Sequence, residues 1–243
     1  MTIEQRSARR PGRDAAQEAA NAMPPLAQVA GGSVEQKVYN AIRVSLMTGQ
    51  VLPGSKLSTR TLSERFGISA MPVREALKRL QADGVLTSGS RRAYVVRRLT
   101  AADYADIIDI RVSLEGLAAE RACRNATPED IEELEQLNAL YGASFRVPSW
   151  SVKANYDFHF KLYSLSRSPT LVEIIENVWV RVAPILHLAV RESDYGVTIE
   201  HHRDIIDAVG RRDGEAAKAA LKQDFEGVLP PIIRLLSEQD RAS

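Results

Sequence analysis

From Ser33 to Gly49 the apolar side chains Val34, Val38, Ala41, Ile42 and Leu46 return every three or four residues, the spacing of a helix with one buried stripe. Ser33 stands where an N-cap belongs, and the turn LPGSK comes after the stripe ends. Ser58 introduces a short helical run, TRTLSERF, closed by Gly67. Ser69 introduces another, running to about Ala82 and closed by Gly84. Two β-prone runs follow, GVLT and AYVVR, joined by SGSRR, as in a short hairpin. Three helices and a hairpin within residues 33–98 are the parts of a winged helix-turn-helix.

From Leu99 onward every periodic segment is helical. Thr100 and Asp103 make a capping box, and boundaries fall at Thr127-Pro128, Pro148-Ser149, Ser168-Pro169 and Gly196. The spacing predicts helices over about 100–125, 127–145, 149–166, 168–190, 197–212 and 213–239, an all-α bundle. Residues 1–32, rich in Ala, Arg, Gln, Pro and Gly, carry few large apolar side chains and read as a disordered tail. The expected chain is therefore mostly α: a tail over 1–32, a winged helix-turn-helix over 33–98 and a helical bundle over 99–243.

The formal net charge of +1 over 243 residues argues at first against a nucleic-acid partner, but it is a cancellation. Residues 33–98 carry 12 basic and 4 acidic side chains, whereas residues 99–243 carry 16 basic and 24 acidic ones. A basic module joined to an acidic one is the pattern of a polyanion-binding unit that carries a different kind of partner. The one cysteine, Cys123, excludes an internal disulfide and fits a reducing compartment. No apolar run reaches the roughly 18 residues of a membrane span; the nearest, VWVRVAPILHLAV, is broken by Arg181, Pro184 and His187. The N-terminus has no apolar h-region, so the expected location is the cytoplasm.

In the helix opening near Ala70, Val73, Leu77 and Leu80 fall on one face and Ala70, Met71, Arg74 and Lys78 on the other. A helix entering the DNA major groove needs this division, with its first turn near base edges and its amides near phosphates. Arg74 is placed to fork to guanine. Arg60 in the preceding helix, and Arg91 and Arg92 at the hairpin tip, are placed for backbone or minor-groove contact. The alternative is a solvated basic face on a small packing domain. The stretch KLSTRTLSERFGISAMPVREALKRLQADGVL resembles the DNA-binding domain of GntR-family transcription regulators, whose signature is a PVREAL-like recognition helix followed by RLxxxG. The resemblance covers residues 33–98 and implies that Arg60, Arg74 and Ser69, Ala70, Met71 and Pro72 contact double-stranded DNA at a pseudo-palindromic operator. The chain departs from the family at Ala70, where Arg is usual, and at Arg91-Arg92, where Arg-Gly is usual.

In the acidic module four apolar stripes are interrupted by polar side chains. They are Ile107-Arg111-Leu114-Ala118, Val152-Asn155-His159-Leu162, Ile199-His202-Ile206-Val209 and Ala217-Leu221-Asp224-Val228. Burial of such groups without partners costs kilocalories, so they must pair with one another or with a ligand. Asn155 and His159, four residues apart, can aim at one point as metal ligands. A histidine on an apolar face also serves as a core residue bonded to a carbonyl. The stripe favours His202 over His201, and His187, Trp150 and Trp179 read as structural. Arg111 is placed to meet a carboxylate by a bidentate fork or to bridge to Glu115 or Asp157. Arg181, flanked by Val178, Ile185 and Leu188, is a second candidate for an effector.

The segments RVSLEGLAAERA, NYDFHF, HRDIIDAV and GRRDGEAAKAAL are similar to the FCD ligand-binding domain of the FadR subgroup, an antiparallel helical bundle. Many members bind a divalent metal through an Asp-x-x-x-His pair and two further histidines, with an organic acid completing the coordination. By motif those positions are Asn155, His159, His202 and Asp224. Asn155 replaces the usual Asp and Asp224 the third His, so the formal ligand charge is unchanged and Zn, Mn or Ni remain candidates. The resemblance implies a homodimeric regulator, not an enzyme, whose operator binding responds to a small carboxylate. Two rivals are a sensor of the metal itself and a helical metalloenzyme with a DNA-binding tail. Against the latter, the chain has no HExxH, no GxSxG and no P-loop.

Overall fold

The computed structural model describes residues 11–89, 93–144, 148–190 and 196–241, and it divides into two compact units. One holds the chain up to Arg97 apart from Leu46–Gly49; the other holds Leu46–Gly49 and the chain from Arg98.

The first unit runs α1 (Pro11–Asn21), a single 3-10 turn (Leu26–Gln28), α2 (Val34–Met47), β1 (Lys56–Leu57), α3 (Thr59–Phe66), α4 (Ala70–Ala82), β2 (Leu86–Ser88) and β3 (Tyr94–Val96). The apolar stripes close its interior: Val38, Ile42, Leu62, Val73, Leu77, Leu80 and Val96 are all buried. The Ser58 hydroxyl accepts from the Thr61 amide at the start of α3. Gly67 ends that helix at φ 66°, a left-handed conformation that suits a residue without Cβ. Ser69 precedes α4 without making a side-chain cap bond.

The hairpin β2–β3 belongs to a three-stranded antiparallel sheet in the order β1-β3-β2, with Lys56 opposite Val95 and Leu86 opposite Val96. Strand β1 escapes a pattern search because two residues carry no period. It is held by pairing with β3 and by burial of Leu57.

The expected disordered tail over 1–32 is corrected from residue 11 onward. Helix α1 packs on β1 and α3, burying Ala16, Ala19, Ala20 and Met23, and the Arg65 guanidinium donates to the Met23 carbonyl at 3.0 Å. Alanine methyls at helical spacing let a helix approach closely. Their small area per residue is why the segment reads as coil.

The second unit is a bundle of α5 (Ala101–Asn125), α6 (Pro128–Ser144), α7 (Pro148–Ser164), α8 (Pro169–Val190), α9 (Gly196–Gly210) and α10 (Gly214–Arg241). Thr100 and Asp103 form the capping box of α5, and Thr127 and Asp130 exchange the same pair of bonds ahead of α6. Helices α6, α7 and α8 each open on proline, whose missing N–H costs nothing there.

Helix α5 packs most extensively on α10 and also meets α7, α8 and α9. Small residues permit the close approach: Ala118, Ala119 and Ala122 are buried, and a Cβ added at Gly116 would stand 2.9 Å from Lys218 Cγ. The core contains Ile108, Phe158, Leu162, Ile175, Val182, Ile205, Leu221 and Ile232, with Cys123 packed among them. No helix among the described residues is long and apolar enough to cross a membrane.

Candidate DNA-reading face and buried polar centre

Helix α4 turns Val73, Ala76, Leu77 and Leu80 inward and leaves Ser69, Ala70, Met71, Arg74 and Lys78 exposed, with Pro72 half-buried. Arg74 and Arg60 line one concave surface of about 590 Å³, together with Ser58, Thr59, Gln81 and the wing residues Ser88 and Tyr94. A cationic side chain from each helix of the motif therefore borders the same hollow as the hairpin. Acidic neighbours hold two of the cations: Arg60 Nε lies 2.8 Å from Glu64 and Lys78 Nζ 2.9 Å from Glu75. These pairs are exposed, so their separation is cheap. Arg91 and Arg92 lie outside the described residues.

In the bundle, the face that α5 turns inward carries Tyr104, Arg111 and Glu115. Helix α7 brings His159 and Tyr163, α9 brings His202 and α10 brings Asp224, all buried. Arg111 makes two bonds to Glu115, Nε to Oε1 at 2.6 Å and Nη2 to Oε2 at 3.2 Å. Its guanidinium lies 4.3 Å from the ring centroids of both Trp179 and Phe225, favourable stacking for a planar cation. Burial alone would lower the Arg111 pKa; Glu115 outweighs it and raises it. The Tyr163 hydroxyl bonds to Glu115 and lies 3.0 Å from His159 Nδ1.

His159 Nε2 stands 3.3 Å from Asp224 Oδ2, and His202 Nε2 stands 3.7 Å from Asp224 Oδ1. One nitrogen of each imidazole and one Asp224 oxygen lie within 4.8 Å of one another. The His202 ring stacks on Phe158 with centroids 4.0 Å apart, and its Nδ1 is 3.1 Å from Asn138 Oδ1. Burial, opposed by Asp224, pushes the His202 pKa down to about 3, so the imidazole is neutral. Burial would raise the Asp224 carboxyl, but the His159 hydrogen bond and nearby imidazoles overcome it and lower its pKa. A neutral imidazole and a carboxylate are the protonation states a metal requires.

The donor set fits a divalent cation. Ligand atoms about 2.0–2.2 Å from a tetrahedral metal stand roughly 3.3–3.6 Å apart; His159 Nε2 is 3.3 Å from Asp224 Oδ2, His202 Nε2 is 3.7 Å from the other oxygen, Oδ1, and one donor atom from each of the three residues lies within 4.8 Å of the others. His202 Nε2 is buried with no hydrogen-bond partner, as are the Tyr104 hydroxyl and Trp179 Nε1. Buried polar atoms without partners are rare and costly. A core selected for stability alone would replace so many charges by apolar groups.

Of the expected ligands, His159, His202 and Asp224 converge. Asn155 is half-buried one turn before His159. Of the two acids considered for Arg111, Glu115 takes it, while Asp157 pairs with Lys153. Arg181, the second effector candidate, is exposed, because it lies about 200° around α8 from the buried Trp179. Trp179, expected as plain core, is buried but also covers Arg111. The side chains of His187 and Trp150 lie outside the described residues.

Three contributors escaped the sequence reading although each left a signal. Tyr104 shares the Arg111 face, Tyr163 stands four residues after His159, and Asn138 interrupts the Leu134–Tyr141 face of α6.

A winged helix followed by a helical bundle defines a class of DNA-binding proteins. Family models place the chain within it. Residues 34–96 match "Bacterial regulatory proteins, gntR family" and residues 106–227 match the FCD domain. The protein belongs to the GntR family of DNA-binding transcriptional regulators, of the kind that carries an FCD domain. It is 31% identical to the HTH-type transcriptional regulator McbR of Escherichia coli (strain K12), over 83% of this chain and 93% of that one. It is 30% identical to the HTH-type transcriptional regulator YdhC of Bacillus subtilis (strain 168), over 82% and 91%. The solved structure of E. coli McbR/YncC matches with TM-score 0.75 at 29% identity, covering 86% of this chain and 99% of that one. The families and relatives are regulators, not enzymes.

Proposed function

We propose that the bundle senses a small carboxylate metabolite held by a divalent metal, Zn, Mn or Ni, and that its occupancy alters operator binding by the winged helix. The observation that carries this reading is the convergence of His159, His202 and Asp224 beside unpartnered buried groups. His159, His202 and Asp224 would hold the metal, with Asn155 one turn away as a neutral oxygen donor. The metal supplies a Lewis-acid anchor for an anion. The Tyr104 hydroxyl and Trp179 Nε1 supply donors to it, and Arg111 adds the positive field, by sharing or leaving Glu115.

The regulator acts as a homodimer on a pseudo-palindromic operator, with Arg74 and Arg60 as principal contacts and Arg91 and Arg92 at the wing. Exposed apolar side chains on the packed pair α5 and α8, Ile110, Leu117 and Ile174, support a self-association face. Only about four residues, Arg97 to Thr100, join the modules, too few for a loose tether. Bundle rearrangement would therefore reach two reading heads whose spacing must match the DNA repeat.

Anisotropy of an operator fragment selected with the protein, titrated with metal and a panel of carboxylates, tests this. At least one carboxylate should shift operator affinity, and His159→Ala should abolish the shift while keeping basal DNA binding. If no carboxylate that binds the bundle changes operator affinity, effector sensing is wrong. The Arg111–Glu115 pair favours a second reading, a sensor of the metal alone, because its arginine is already neutralised. A response to metal with no organic acid supports that alternative.

A further inference from the structure

We propose that Asn138 and Tyr163, neither of them a ligand, are positioning residues that hold His202 and His159 as Nδ1–H tautomers and so turn both Nε2 lone pairs toward Asp224. The inference deepens the metal reading of this centre and rests on it. It starts from hydrogen-bond accounting.

The Tyr163 hydroxyl has one proton and two neighbours, Glu115 Oε2 and His159 Nδ1. A carboxylate only accepts, and two bonds from Arg111 hold Glu115 as one. The hydroxyl proton therefore goes to Glu115. The tyrosine oxygen is left facing His159 Nδ1 at 3.0 Å, so that nitrogen carries the hydrogen.

Asn138 imposes the same condition on His202 from another helix. Its Nδ2 donates to the Ile199 carbonyl at 3.5 Å, which orients the amide so that Oδ1 faces His202 Nδ1 at 3.1 Å. An amide oxygen only accepts, so His202 Nδ1 is the N–H. Stacking on Phe158, with planes 11° apart, and contact with Tyr141, centroids 4.9 Å apart, fix the ring plane.

With Nδ1 of each ring carrying its N–H, Nε2 is the nitrogen that each imidazole has left to offer a cation. Those nitrogens face the two oxygens of one carboxylate, His159 Nε2 at 3.3 Å from Asp224 Oδ2 and His202 Nε2 at 3.7 Å from Oδ1. His202 Nε2 is fully buried and has no hydrogen-bond partner. Partners that fix the tautomer of a metal-binding histidine typically control affinity about 10–100-fold. Tyr163 also joins Glu115 to His159, so the arginine pair and the metal centre share one hydroxyl.

The test uses the full-length protein treated with chelator. Long-range 1H–15N correlation should report the Nδ1–H tautomer for both His159 and His202, a readout that needs no metal. Calorimetric titration with Zn2+ should show Asn138→Leu weakened about 10–100-fold, with His202 losing its tautomer in the spectrum. Asn138→Asp should bind within a few-fold of the parent, because its carboxylate accepts the same N–H. Tyr163→Phe should weaken binding about 10-fold and release the tautomer of His159 alone. An Nε2–H tautomer at either histidine of the parent overturns the proposal, as does equal zinc affinity in folded Asn138→Leu and Asn138→Asp. A parent that binds no zinc overturns the metal reading instead, and the spectrum still decides the tautomers.

Discussion

Helix α4 and helix α7 distribute polarity in opposite ways. Along α4 the polar side chains face solvent and the hydrophobic ones face the core, so Arg74 is exposed while Leu77 is buried. Along α7 the residue carrying the chemistry is inside: His159 is 1% exposed, and the helix has Lys153 on its outer surface. The DNA-reading unit offers its functional groups to a partner that comes to it. The bundle hides them in a centre stabilised by mutual pairing. Substitution at the first kind of position should cost binding without stability; at the second it should cost stability first.

The largest effect is expected at Glu115→Ala. It leaves the Arg111 guanidinium buried without its counter-ion, and loss of one partner of a buried pair costs about 3–5 kcal/mol. Urea denaturation followed by circular dichroism should report that loss. The double replacement Arg111→Met with Glu115→Leu should recover most of it. A loss below about 1 kcal/mol would mean that the interior pair is not the constraint described and would erase the contrast with α4.

Metal should act in the opposite direction. At free Zn2+ of about 100 times its Kd the native state gains about 2.7 kcal/mol. Differential scanning calorimetry should show a raised melting temperature that chelator reverses and His202→Ala abolishes. An unchanged melting temperature at millimolar zinc would remove the metal from the bundle.

On the outer surface, Arg74→Ala should weaken operator binding by about 1–3 kcal/mol, roughly 5- to 150-fold, and leave stability within about 0.5 kcal/mol. Arg60→Ala should weaken binding evenly across sequences and lower the salt slope by about one. Anisotropy at several salt concentrations separates the two, and a stability loss at Arg74 comparable with that at Glu115 would break the contrast. The smallest effect belongs to the capping box at the start of α5. Thr100→Ala removes an acceptor for the Asp103 amide, and thermal denaturation should register about 1 kcal/mol.

The two units were unequally legible. In the basic module the outward residues follow from periodicity alone, since a helix packed on one side must show the other to solvent. In the bundle the same periodicity flagged Arg111, Asn155, His159, His202 and Asp224 as interruptions of apolar stripes; the structure buries all of them except Asn155, which is half-buried. It missed Asn138, an interruption of the same kind on α6, because an amide stands out less than a charge. Arg181 is exposed because Trp179 and Val182 set the buried side of α8, which a count of flanking apolar residues does not record.

The sequence by itself determined what is local: the helices from α2 onward and their ends, the caps at Ser58 and Thr100, the charge division between modules and the identity of the odd residues on each stripe. These depend on interactions within about one helical turn, which spacing records. Only the tertiary structure decided which odd residues meet. It chose Glu115 over Asp157 for Arg111, joined Asn138 to His202 across 64 positions, docked α1 on the winged helix and paired β1 with β3. Those choices rest on how helices pack through alanine and glycine surfaces such as Ala118, Ala119 and Gly116. That packing depends on the shape of both partners at once, and neither partner's periodicity contains it.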